Sequence, residues 1–200
     1  MLWRMDDLTL LGPIVRLQIQ KEPLIVGVRP ERVYRLDPLV SVEAMTLAAD
    51  GVVVRTDAGW VVDRHHAAHP SNPRPNPDRV LSFGFTSHYA AMAAHFGEAD
   101  LGDAGENITV ETDRIVSLED VTGGIVIKRP DRTIEVKGAA VAEPCVPFTR
   151  FRLRDQSTSL EDVKPHREFL RRGMRGFVMG LANLDGAVEI ELGDEVYLSR

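Results

Sequence analysis

The chain has 200 residues, a formal net charge of -6, 44% hydrophobic and 27% charged residues, the make-up of an ordinary soluble globular protein. The acidic balance argues against a nucleic-acid partner, whose phosphates call for a basic face. A single cysteine excludes an intramolecular disulfide framework and any multi-cysteine zinc or iron-sulfur site within one chain, and suits a reducing cytoplasm.

The length fits one domain, 1–200. Asp6 and Asp7 precede a short apolar run that Pro13 interrupts, which is not a signal-peptide pattern. No stretch approaches the roughly 20 apolar residues needed to span a bilayer, so no membrane is expected. From Ile14 to Gln20 apolar and polar side chains alternate as in a half-buried strand. Leu24 to Val28 is a short apolar run, and Val40 to Met45 is a strand-like run before the Asp50-Gly51 turn. Val52-Val53-Val54 and Trp60-Val61-Val62, split by Asp57-Ala58-Gly59, predict a hairpin. The next stretch, Ala67 to Asp78, holds four prolines and two asparagines and predicts a long loop, a candidate mobile lid. His65, His66 and His69 read as polar loop histidines rather than metal ligands, because i, i+4 spacing serves a metal on a helix and Pro70 argues against one.

Thr86 to Phe96 is the clearest helix. Thr86 or Ser87 can cap it, Tyr89, Met92, Ala93 and Phe96 form its core stripe, and Gly97 can end it. Strands follow at Ile108-Thr109-Val110, Ile125 to Lys128 after Gly123-Gly124, and Thr133 to Val141. A short helix is predicted over Lys164 to Arg172 with Pro165 in its first turn, and Met174 to Leu181 and Ala187 to Leu198 form a closing meander. Many short strands, two short helices and no βαβ rhythm predict a mostly β, predominantly antiparallel barrel with short peripheral helices.

The lone thiol, Cys145, lies between Pro144 and Pro147, so Val141 to Phe148 should be a stiff, non-helical strand end or loop. Such a cysteine either fills space as a small hydrophobe or reacts as a thiolate, which needs exposure and cationic neighbours. Arg64, His65, Arg79, Arg150 and Arg172 are candidates for that second role.

Gly105-Glu106-Asn107-Ile108, Pro144-Cys145, Arg171-Arg172-Gly173 and Leu192-Gly193-Asp194-Glu195-Val196, in that order, resemble the MOSC domain family, named for the C-terminal domain of molybdenum cofactor sulfurases. The resemblance runs from about Arg29 to Val196. It implies a β-rich barrel that carries sulfur, or binds molybdenum cofactor, through Cys145 as catalytic residue and molybdenum ligand. Arg64, His65, Glu106, Asn107 and Arg172 would then contact the cofactor, with a sulfur donor or redox partner protein and a role in reducing N-hydroxylated compounds. Glu106 and Asn107 can equally brace their loop through hydrogen bonds. Val62, Ala67 and Ala68 depart from the family pattern, which carries a glycine at the first and a His-Gly-Gly around the others in some branches. Two alternatives stand beside this reading: a cofactor-free binding module on the same barrel, and a cysteine-dependent hydrolase, which would need an activating histidine.

Overall fold

A computed structural model describes residues 8–57, 59–130, 132–181 and 184–199. In chain order its strands are β1 (Leu8–Gln20), β2 (Ile25–Val26), β3 (Val33–Tyr34), β4 (Leu39–Val42), β5 (Ala44–Ala48), β6 (Gly51–Thr56), β7 (Gly59–Val62) and β8 (Leu81–Phe85). Helix α1 (Thr86–Phe96) precedes β9 (Ile108–Val110), helix α2 (Leu118–Val121), β10 (Ile125–Lys128) and β11 (Thr133–Val141). Helices α3 (Val146–Leu153) and α4 (Leu160–Phe169) then lead to β12 (Phe177–Gly180), β13 (Val188–Glu191) and β14 (Glu195–Ser199).

Seven strands close a mixed barrel in the order β1, β14, β10, β11, β12, β8, β9 and back to β1. Every neighbouring pair is antiparallel except β8 with β9. Closure depends on β1, which bonds β14 through its first half and β9 and β4 through its second. Its register shifts between Leu10 and Gly12 and again between Ile14 and Arg16. Such bulges bend a strand enough to serve two neighbours. Gly12 is required at the first bend, where a Cβ would sit 2.0 Å from the Glu111 carbonyl oxygen.

The alternation read over Ile14 to Gln20 is present, but its polar face is not solvated. Gln18 and Gln20 are buried, because their amides donate to the carbonyls of Gly102 (2.8 Å) and Gly105 (2.6 Å). They tie the loop ahead of β9 over the outside of the barrel. The run from Val40 to Met45 is two strands and not one: β4 extends the barrel sheet, while β5 joins a separate sheet ordered β13, β5, β6, β7. The predicted hairpin is β6–β7, pairing Val54 with Val61; Ala58 of its turn lies outside the described residues. Met45, Leu47, Val52, Val54, Val188 and Ile190 of this sheet share one core with barrel residues such as Ile14, Phe83 and Ile127.

A second core gathers Tyr89 and Met92 of α1, Phe148 of α3, and Leu170 and Met174 with Leu24 and Tyr34. The predicted stripe of α1 thus faces a core, but Phe85 is its N-cap. The Thr86 and Ser87 hydroxyls donate instead to the carbonyls of Thr112 and Arg114. Four helices are described where two were expected. Helix α4 begins at Leu160, capped by Ser159, so Pro165 lies inside it and not in its first turn. A π turn, Leu170–Met174, follows it. No described helix is long and apolar enough to cross a membrane.

Candidate functional site

On one side of the barrel the end of β1, Ser82 of β8 with its partner Val178 of β12, the residues leading into β9 and the chain leaving β11 form a rim. A cleft of about 400 Å³ opens there, lined by Gln20, Ser82, Glu106, Ala142 and Val178 from these elements. Arg64, His65, Arg79 and Arg175 add cationic or titratable groups, and Leu24, Ile25 and Tyr34 add apolar surface. The volume is within the range of small-molecule sites, about 300–1,000 Å³.

Arg64 and His65 are positioned by Asp63, which follows β7. Val62 pairs with Val53 inside that strand, so the position needs no glycine. Asp63 is fully buried. Its Oδ2 accepts from the Gln20 N–H (2.8 Å) and Asn107 Nδ2 (3.1 Å), and its Oδ1 from the His65 N–H (2.8 Å). The His65 ring Nδ1 lies 3.1 Å from the same Oδ1. Burial alone would raise the Asp63 pKa, but the bonds and charge from His65 and the Gln20 N–H hold it below its ordinary value. An imidazole that donates from Nδ1 to this carboxylate has Nε2 as its free nitrogen. Arg64 makes no such bond to a carboxylate among the described residues. Its Nε is buried with no hydrogen-bond partner among the described residues.

Glu106 and Asn107, adjacent in sequence, do different work. Asn107 is 1% exposed. Its Nδ2 donates to Gln18 O and Asp63 Oδ2, and its Oδ1 accepts from the N–H and hydroxyl of Ser82. These four bonds use its whole amide, so of the two roles open to it the one seen is bracing the rim. Glu106 borders the cleft, and its carboxylate accepts from the Tyr89 hydroxyl at 2.7 and 2.8 Å and from Thr109. Burial pushes its carboxyl pKa up, offset in part by those bonds. Gly84 makes room for it: a Cβ there would lie 2.6 Å from Glu106 Oε1. Gly84→Ala is therefore expected to displace the carboxylate and cost about 2 kcal/mol, as overpacking does. Thermal melting checks this, and an unchanged Tm would mean that the carboxylate has room to move.

Arg172 is exposed and lines neither this cleft nor the cavity of Cys145. Gly173, at φ 90°, turns the chain so that Arg175 enters the cleft instead. Arg175 donates to the carbonyls of Ala104 (3.2 Å) and Glu143 (3.0 Å) and stacks 4.7 Å from the Phe148 ring. The sequence offered a signal for it, a third arginine beyond Arg171-Arg172-Gly173, but not the turn that aims it.

The expected non-helical segment holds only as far as Cys145, whose backbone is extended (φ -110°, ψ 159°); from Val146 onward the chain is helical. Cys145 is the N-cap of α3, with Pro147 in the first helical turn. There the missing proline N–H costs nothing, because first-turn N–H groups have no partner within the helix. The thiol is half-buried, packs beside the second core, and lines an adjoining cavity of about 510 Å³. Ile25 and Glu143 line both spaces. No histidine is among the described residues lining the thiol's cavity, which removes the support a hydrolase would need. The loop after His65 is pinned by polar bonds. His69 is buried, not a surface group: its Nε2 lies 2.9 Å from Lys21 O, and Asn72 Nδ2 donates to the carbonyls of His65 and His66.

A closed seven-stranded mixed barrel with few helices places the chain in the class of MOSC-like β-barrels by fold. Among solved structures it is similar to the YuaD protein from Bacillus subtilis, with a TM-score of 0.53 and 15% identity over 94% of this chain and 100% of that one. It is also similar to YiiM from Escherichia coli, with a TM-score of 0.51, 12% identity and coverage of 94% and 70%. YiiM from Geobacillus stearothermophilus gives 0.52, 16%, and 94% and 74%. At these identities the likeness carries the fold alone. No family model and no curated protein sequence matches the chain.

Proposed function

We propose that the rim cleft binds a phosphate-bearing ligand of the molybdenum-cofactor type and that Cys145, on the adjoining cavity, carries sulfur. The observation that supports this most is the buried Arg64 Nε without a partner among the described residues, on a wall shared with Arg79, Arg175 and His65. A buried donor left unpaired is costly, and a phosphate supplies acceptor oxygens in the geometry a guanidinium fork matches. Molybdenum cofactor, when bound, would supply a metal centre for oxygen-atom chemistry such as the reduction of N-hydroxylated compounds.

In this reading Arg64, Arg79 and Arg175 hold the anionic end of the ligand. Asp63 keeps His65 oriented so that Nε2 can take or give a proton at the cleft wall. Cys145 is the soft ligand and the sulfur acceptor. A donor protein's persulfide passes its outer sulfur to the Cys145 sulfur: the donor S–S bond breaks, the donor sulfur leaves as thiolate with the electron pair, and a persulfide forms on Cys145.

Protein purified from a host that makes molybdenum cofactor is expected to contain molybdenum and pterin, and to gain the mass of one sulfur atom when offered a persulfide donor. Arg64→Lys should weaken pterin-phosphate binding at least tenfold, because an ammonium cannot reproduce the fork. Cys145→Ser should abolish sulfur loading while leaving the fold intact. Protein that takes up neither pterin nor sulfur, with Arg64→Lys indistinguishable from the parent, would overturn the reading.

A further inference from the structure

The cavity of Cys145 contains a cationic cluster that the reading above does not use. Arg29, Arg32, Arg150 and Arg167 line it together with one carboxylate, Glu143, whose Oε2 already faces Arg171 Nε at 3.6 Å. Arg150 donates from Nε to Thr158 O, and Arg167 from Nη2 to Pro144 O. These bonds leave most of both forks unspent, and Arg167 Nε is buried with no partner among the described residues. Arg29 and Arg32 are exposed and make no side-chain bond among the described residues. Like charges gathered around one cavity repel each other until an anion enters.

The remaining wall is apolar, with Ile25, Val146 and Leu160 on it, and Leu160 is 62% exposed. An inorganic ion would leave that surface wet. An apolar body carrying one oxyanion satisfies both parts at once, its oxygens on the guanidinium forks and its body on the aliphatic side chains.

We infer that this cavity is a second binding site, for an amphiphilic organic anion such as an aryl sulfonate or carboxylate, seated beside the Cys145 thiol. The site goes beyond the cleft reading and does not depend on a bound cofactor. Two parts of the chain far apart in sequence build it: β2 with the connection to β3, and the stretch from Glu143 to Arg167 that carries α3 and α4.

Calorimetric titration of the full chain with benzenesulfonate tests it. Saturable binding is expected, with inorganic sulfate at least tenfold weaker because it has no apolar body. The double variant Arg29→Gln/Arg32→Gln should weaken benzenesulfonate at least tenfold, as should Leu160→Asp. Both sites are exposed, so the fold should be unchanged by circular dichroism. Arg64→Lys, on the other cleft, should leave this affinity within twofold. Sulfate binding as tightly as benzenesulfonate, or benzenesulfonate affinity that falls with Arg64→Lys and not with the Arg29/Arg32 pair, would overturn the inference, as would no saturable binding at all. Any of these results leaves the cofactor reading to stand or fall on its own pterin and sulfur measurements.

Discussion

Asp63→Ala is expected to lower the Tm by roughly 10 °C, the shift that about 4 kcal/mol produces in a chain of this size. The carboxylate accepts four bonds, from the N–H groups of Gln20 and His65, the Asn107 amide and the His65 ring. Alanine leaves the buried donors among these without an acceptor, and each unsatisfied buried donor costs about 1–3 kcal/mol. Asp63→Asn should lose less, since one amide oxygen can still accept, though its NH₂ group would face other donors. Urea unfolding of the three proteins would order them parent, Asn, Ala. An alanine variant that melts within about 2 °C of the parent would mean that the rim network contributes little and that His65 is held by something else.

The second large effect is acid destabilisation through His88. This α1 residue is fully buried against Phe85 and Phe177, with Nε2 2.9 Å from Val116 O. Burial lowers its pKa from 6.5 to about 4, against partial opposition from the carbonyls of Val116 and Gly173. Above pH 6.5 neither folded nor unfolded chain binds this proton, and the full stability is present. Between pH 6.5 and 4 the unfolded chain takes the proton and the folded chain does not, so stability falls by roughly 3 kcal/mol. Glu106, whose carboxyl burial pushes upward, acts in the opposite sense over part of this range. His88→Gln isolates the histidine. The stability gap between parent and variant should shrink by roughly 3 kcal/mol over that interval, and parallel pH profiles would remove His88 as the cause.

How much of this was legible depends on how local the cause is. The strands of the barrel, the β6–β7 hairpin and the stripe of α1 follow from alternation and helical spacing, which are properties of ten or fewer neighbouring residues. The split of β4 from β5 was invisible because only Glu43 separates them, and nothing in the pattern says that the strands belong to different sheets. Gln18 and Gln20 look solvated by alternation, and are buried because a loop more than 80 residues away offers their amides carbonyl partners. Helix α3 was masked by its own prolines, which favour extended backbone before them yet cost nothing in a first turn.

The site divides in the same way. Arg64, His65 and Glu106 could be singled out from sequence because they belong to short recognisable stretches. Asn107 sits in the same stretch as Glu106, but at the bend just before β9 the two side chains meet different partners, Ser82 and Asp63 for one and Tyr89 and Thr109 for the other. Arg175 displaces Arg172 through a single left-handed glycine. The cluster beside Cys145 joins two stretches more than 100 residues apart, so only the fold assembles it.

Closing the barrel through β1 and β14 has a consequence for how the chain reaches this structure. The first and last described strands are neighbours, so during synthesis β1 has no β14 to pair with until the chain has been made through Ser199. Until then β1 and β10 each present an unpaired edge, the kind of surface on which nascent chains pair with the wrong partner. A barrel joined between distant strands also folds slowly, since loop-closure entropy is lost before the pairing that offsets it. Removing β14 should thus do more than shorten the chain: it should leave a species that stays bound to chaperones or aggregates, even though the sequence of every other strand is intact.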